Sequence, residues 1–155
     1  MKNNIELYET FFQERKDYYI NKLSKFENNE KLTFNYATLI FGFFWFLYRK
    51  MYWEAIFIYS FILIETLFEK YYLLRIIGED KTNAFSIIFT ITFLICIGFS
   101  GNYLYLRKAN RIVNKATDKY KETDQQTKFV LKKGGTSFVF IGIILALIVI
   151  IFILQ

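Results

Sequence analysis

The sequence predicts an all-α integral membrane protein. It has three transmembrane helices, a short aromatic helix that is interfacial or re-entrant, and an amphipathic N-terminal helix. Three observations predict it. Hydrophobic residues make up 54% of the 155 residues and the mean hydropathy is positive; a chain of this length folds as one domain too small to hide so much apolar surface. Long apolar runs recur between short polar breaks. The net charge of +6 is concentrated in one segment between two of those runs. Two parts follow: an N-terminal helical segment, 1–33, and a membrane domain, 34–155.

Residues 1–33 carry six basic and six acidic side chains and no apolar signal-peptide core. Tyr8, Phe12, Tyr19, Leu23 and Phe26 recur at three-, four- or seven-residue steps. That spacing predicts one amphipathic helix over Ile5–Phe26. Its apolar stripe either packs on the rest of the protein or lies on lipid. Asn28-Asn29 breaks it.

Residues 34–50 form the aromatic segment, with the apolar run Tyr36–Tyr48 ending at Arg49-Lys50. Thirteen helical residues span about 20 Å, against a bilayer core of about 30 Å. Fusing this run to the next would leave Arg49 and Lys50 in lipid. The segment is therefore expected to leave and return to one face. A fourth crossing is the alternative. Phe34, Asn35, Phe41, Gly42, Trp45, Tyr48, Arg49 and Lys50 form the expected membrane-interface and docking set.

Residues 53–74 predict the first crossing, with Trp53 and Tyr71-Tyr72 as interfacial anchors. Glu65 and Glu69 share a face at four-residue spacing. They are candidate intramembrane acids, or they snorkel and pair with Lys70 or Arg75. After GEDKTN, residues 84–106 predict a second crossing without a charge. Gly98 and Gly101, with Asn102 and Tyr105, are candidates for close helix packing.

Residues 107–133 hold nine basic and three acidic side chains. This bias predicts a cytoplasmic segment. Arg107, Lys108, Arg111 and Lys115 are the candidates for anionic lipid head groups. No nucleic-acid reader motif supports that partner. Leu106, Asn110, Val113 and Thr117 fall on one stripe, so the second crossing is expected to continue into this segment. Gly134-Gly135 breaks the chain, and the charge-free run 136–154 predicts a third crossing. The connection at 78–83 and the carboxyl end at Gln155 are then outside, and the N-terminus is inside if Tyr36–Tyr48 does not cross.

There is no His, so the usual general base and the commonest metal ligand are absent. The one Cys, Cys96, sits in an apolar run and makes no disulfide within the chain. No phosphate loop or nucleophile elbow is present. No catalytic residue, cofactor or metal site is assigned.

Four pieces of the chain resemble the DUF2628 family of small bacterial membrane proteins. FNYATLIFGFFWFLYRKMY resembles its signature. Tyr18-Tyr19 with the following helix resembles its lead-in. GNYLYLRKANRIV, from Gly101 to Val113, resembles its Gly-Asn-x-x-Tyr motif. LKKGGTSF, from Leu131 to Phe138, resembles the start of its last membrane helix. Phe43 stands where Pro is expected and Lys108 where His is frequent. The resemblance implies an architecture and a bacterial envelope location, not a reaction; the expected location is the bacterial inner membrane, multi-pass.

Two function classes follow. The first is a non-catalytic accessory, scaffold or partner-docking component acting through its cytoplasmic face. The alternative is an oligomeric small channel, pore or transport subunit lined by Glu65, Glu69, Thr90 or Thr92. The expected partners are the bilayer with its anionic lipids, and a second copy or another membrane protein.

Overall fold

A computed structural model describes residues 4–153; Leu154 of the expected last crossing and the terminal Gln155 lie outside the described residues. Among the described residues the chain is all helical, with no strand. The expected helix Ile5–Phe26 is two helices, α1 (Ile5–Phe12) and α2 (Lys16–Glu27). Gln13 and Arg15 between them have φ of 49° and 61°, a conformation that side chains disfavour and that ends a helix. Leu7, Tyr8, Phe11 and Phe12 of α1 and Tyr19 and Leu23 of α2 are buried. The apolar stripe therefore packs on the rest of the chain.

What it packs on is the basic segment. The chain from 107 to 133 is no loose loop but the end of α7 (Glu79–Lys119) and then α8 (Thr123–Lys133). Tyr105, Leu106, Ala109, Val113 and Ala116 face inward at three- and four-residue steps, and Val130 of α8 joins them. The ring of Tyr105 lies 5.5 Å from Phe11, 5.7 Å from Phe12, 4.8 Å from Tyr19 and 5.8 Å from Trp45, centroid to centroid. Each such buried ring contributes about 1.5–3 kcal/mol from its area.

Residues 34–50 form two short helices, α3 (Tyr36–Phe41) and α4 (Phe43–Tyr48). The Asn35 side chain caps α3 by accepting from Thr38 N at 3.1 Å. Gly42, at φ 46°, breaks the run, which a residue with Cβ resists. Both ends of the segment lie on one stretch of α7. Asn35 N donates to Gly98 O at 2.9 Å, and the main chain at Arg49 and Lys50 accepts from Lys108. The break at Phe41–Phe43 lines a cavity with Ile58 and Ile62 and with Phe93 and Ile97, earlier on α7. The segment thus turns back on itself.

α5 (Tyr52–Phe68) passes through a π-helical turn (Glu69–Leu73) into α6 (Leu74–Ile77) without leaving helical backbone, and Gly78 turns the chain into α7. This hairpin is apolar outside: Trp53, Phe57, Ile87 and Ile88 are 62–82% exposed. Only Ala55 and Ile58 of α5 are buried. α9 (Val139–Ile153) is similarly exposed. Among the described residues, one helix is long and apolar enough to cross a membrane by itself. It is α7, 41 residues long, whose first part is the expected crossing 84–106. α5 has 17 residues and α9 has 15, each short of a span alone.

Gly134 joins α8 to α9 against the main chain of α1. A Cβ there would lie 2.7 Å from Phe11 Cα and 2.9 Å from its carbonyl carbon, where no side chain can yield. Gly142 of α9 has nothing within 4 Å of the same position. Gly134→Ala is expected to cost about 1–3 kcal/mol from overpacking, about 2–4 °C in Tm per kcal/mol. Gly142→Ala is expected to leave Tm unchanged or raised. Equal melting of the two variants in one detergent would falsify this packing.

Candidate functional site

α4 ends at Arg49, and Lys50 follows in the left-handed conformation, at φ 56°. That turn points the Arg49 side chain inward, where it is 3% exposed. Its guanidinium carbon lies 4.8 Å from the ring centroid of Tyr19, 5.5 Å from Tyr48 and 5.2 Å from Tyr105. The charge is held by three π faces. Its Nη1 is 3.5 Å from the Tyr105 hydroxyl, a long contact, and its Nε has no partner. Among the described residues the ion pairs are Lys16–Glu9 and Lys128–Asp124, so no carboxylate balances Arg49. Burial pushes the Tyr19 hydroxyl pKa up, and the Arg49 charge pulls against that rise.

Arg49 borders a crevice of about 490 Å³ between α2, the α3–α4 segment and the start of α9. Its lining is mixed: Arg15, Tyr18, Tyr19 and Tyr48 are polar, and Phe41, Phe44, Phe138 and Ile141 are apolar. The Tyr48 and Phe138 rings meet at 4.9 Å between centroids. At the rim the Tyr48 hydroxyl donates to Glu14 Oε2 at 3.0 Å.

Two lysines lock the turn behind Arg49. Lys108 Nζ donates to Arg49 O at 3.0 Å and Lys50 O at 2.9 Å. Lys50 Nζ donates to Gly134 O at 2.6 Å. The left-handed Lys50 is thus tied to α7 and to the α8–α9 connection. Burial lowers the Lys108 pKa from 10.5 to about 8, against an upward pull from Glu54. A third lock is Asn102, fully buried on α7. Its Oδ1 accepts from Asn35 Nδ2 at 3.0 Å, and its Nδ2 lies 3.0–3.3 Å from the Tyr18 hydroxyl and from acceptors on Thr33 and Phe34.

The residues singled out in sequence fall into groups. Asn35, Trp45 and Arg49 of the interface set are buried, and Phe41 is exposed. Phe34 covers Gly98, and Thr38 covers Gly101. Gly98, Gly101, Asn102 and Tyr105 all lie at this contact. Arg107, Arg111 and Lys115 are exposed on α7, whereas Lys108 turns inward to the carbonyls. Glu65 and Glu69 each bury one oxygen that has no partner, and Glu65 borders a second cavity of about 330 Å³ near Gly42. The expected partners Lys70 and Arg75 make no ion pair with either acid. Sequence reading missed Glu14, Arg15, Phe138 and Ile141 as neighbours of Arg49. The helix break that swings Glu14 and Arg15 there has no Gly or Pro to announce it.

The fold and this site define a class: an all-helical protein in which an exposed apolar hairpin stands on a packed helical unit, with a bent aromatic segment at the junction. The chain belongs to the DUF2628 family, described as proteins of unknown function, which it matches over residues 9–111. The matched span runs from α1 through the Lys108 contact and ends before Leu131–Phe138. No curated protein and no solved structure matches the chain.

The Lys108 shift has a definite sign. Between about pH 8 and 10.5 the unfolded chain holds a proton that the folded chain has released. The free energy of unfolding therefore rises with pH through Lys108. Lys108→Met removes that rise and both hydrogen bonds. The Tm gap between wild type and variant is expected to widen in favour of wild type from about pH 7 to about pH 9.5. A gap independent of pH shows that Lys108 titrates as an ordinary surface amine.

Proposed function

We propose that this is a multi-pass protein of the bacterial inner membrane, acting without catalysis as an accessory or partner-docking component. The observation that carries the reading is the exposed apolar surface of α5, α7 and α9, which nothing among the described residues covers. Monomeric soluble proteins rarely present such a contiguous surface. From Tyr52 to Ile77 the α5–α6 rod runs about 39 Å, enough for a bilayer core with some tilt. With the first part of α7 it makes a two-helix hairpin, and α9 adds the third crossing. The α3–α4 segment enters and leaves from the packed side. The +6 charge of 107–133 favours that side as cytoplasmic. Arg107, Arg111 and Lys115 then face the cytosol or anionic head groups. The helical unit of α1, α2, α8 and the end of α7 is the docking surface, and a second copy or another membrane protein covers the hairpin.

A second reading, a small channel or transport subunit, draws on Glu65 and Glu69. Each keeps an oxygen without a hydrogen-bond partner on the hairpin, the kind of group that marks an ion path in membranes.

Topology tests the first reading. In a Cys96→Ser background, Asp80→Cys is expected to react with an impermeant thiol reagent in intact cells, and Lys119→Cys is expected to be protected until the cells are opened. The reverse pattern overturns the orientation, and the same outcome at both sites in intact cells rules out a crossing between them. Glu65→Gln separates the two classes. As an accessory component the protein keeps its expression and oligomeric state; a liposome conductance lost in this variant alone establishes the channel.

A further inference from the structure

We infer that the crevice beside Arg49 is a specific binding site for the phosphate head group of an anionic phospholipid, with the lipid's acyl chain lying along Phe41, Phe44, Phe138 and Ile141. The inference deepens the membrane reading above and rests on it. A desolvated guanidinium is costly unless paired and hydrogen-bonded. Arg49 is 3% exposed, has an unpartnered Nε, and has no carboxylate within 4.0 Å among the described residues. The three tyrosine faces offset part of that cost, and of the fork of N–H donors only Nη1 meets one of their hydroxyls, that of Tyr105 at a long 3.5 Å. Those donors match a phosphate, which they bind bidentately.

The walls fit the same ligand. Arg15 adds a second cation, and the hydroxyls of Tyr18, Tyr19 and Tyr48 line the same side. The one carboxylate on the wall, Glu14, is occupied by the Tyr48 hydroxyl. In the same lining Phe41 is 60% and Phe138 69% exposed, an apolar ledge beside the polar groups. A soluble anion would leave that ledge bare, and a neutral lipid tail would leave Arg49 unpaired. An anionic amphiphile meets both. The crevice lies where the packed unit meets the membrane helices, so a lipid reaches it from the leaflet. This site is separate from the exposed Arg107, Arg111 and Lys115, which attract head groups without enclosing them.

The two tryptophans allow a direct test. Trp45 lines the crevice and is buried, whereas Trp53 is 82% exposed on α5. The full chain with Trp53→Phe is reconstituted in phosphatidylcholine vesicles containing a small fraction of brominated lipid. Brominated phosphatidylglycerol is expected to quench Trp45 at a fraction on the order of fivefold lower than brominated phosphatidylcholine, as one or two cationic contacts give. Arg49→Gln is expected to abolish the preference. Ala37→Phe, which fills the crevice and leaves the charge in place, does the same and decides the matter if the Arg49 variant does not fold. Equal quenching by the two lipids, or a preference that survives crevice filling, overturns the site. Inorganic phosphate that raises Tm in detergent where phosphatidylglycerol does not assigns the crevice to a free anion and also overturns it. The Trp45→Phe chain keeps the membrane reading separate. Trp53 quenched by both lipids with no preference at Trp45 sinks the lipid site alone, and Trp53 untouched by either sinks the membrane reading itself.

Discussion

One helix has to satisfy two surroundings, and the rest of the chain is arranged around that constraint. α7 runs for 41 residues, about 60 Å at the helical rise. After a polar first turn its first half carries no charge from Ala84 on and is largely exposed, with Ile87, Ile88 and Ile91 outward. Its second half is amphipathic and buries Tyr105, Ala109, Val113 and Ala116. The change falls between Ile97 and Leu106, where the small residues Gly98 and Gly101 let Phe34 and Thr38 come close. Everything that meets α7 there is a boundary element: the α3–α4 turn, the α2 tyrosines and the locks at Asn102 and Lys108.

Those locks are polar and buried, which makes them decisive rather than merely additive. A half-satisfied buried amide is worse than an apolar side chain of the same size. Asn102 is fully engaged only when Asn35, Thr33 and Phe34 are in register with α7. Lys108 does the same for the other end of the segment through the carbonyls of Arg49 and Lys50. Between them the two residues fix where the aromatic segment begins and ends, six residues apart on one helix. A thirteen-residue run pinned in this way cannot extend across the hairpin. It bends at Gly42 and comes back, at the cost of a left-handed Lys50.

The helical class was legible in the sequence, because apolar run length and charge position are local properties. So was the small-residue contact at Gly98 and Gly101. The polar connection expected over 78–83 is instead a turn at Gly78 alone, with Glu79–Asn83 forming the first turn of α7. The break within Ile5–Phe26 was not legible. Gln13 and Arg15 carry no breaker signal, and what holds them left-handed is distant, the seat of Phe11 on Gly134 and Gly135. Arg49 also resists sequence reading. A basic residue closing an apolar run suggests a surface anchor. It turns inward here because Tyr19 and Tyr105, 30 and 56 positions away, supply the faces that receive it. Long-range pairing of this kind has no periodicity to detect. Lys108 is similar, since one basic residue among nine gives no hint which one faces carbonyls.

The choice of aromatic rings over a carboxylate around Arg49 bears on what the junction does. An Arg–Asp pair there would be closed, with each charge cancelling the other and no donor left over. Rings leave the charge uncancelled and its Nε without a hydrogen-bond partner. They also tolerate a partner arriving and leaving, because they occupy the faces of the guanidinium and not its edge. The one nearby acid, Glu14, is held off by Tyr48, itself one of the three rings. A junction so built carries a standing positive potential at the point where the chain passes from its packed unit to its apolar hairpin. The same three rings tie α2, α4 and α7 together. An anion bound at the edge of Arg49, as proposed above, would therefore bear on the relative placement of the helix that carries the basic surface and the aromatic segment packed on it.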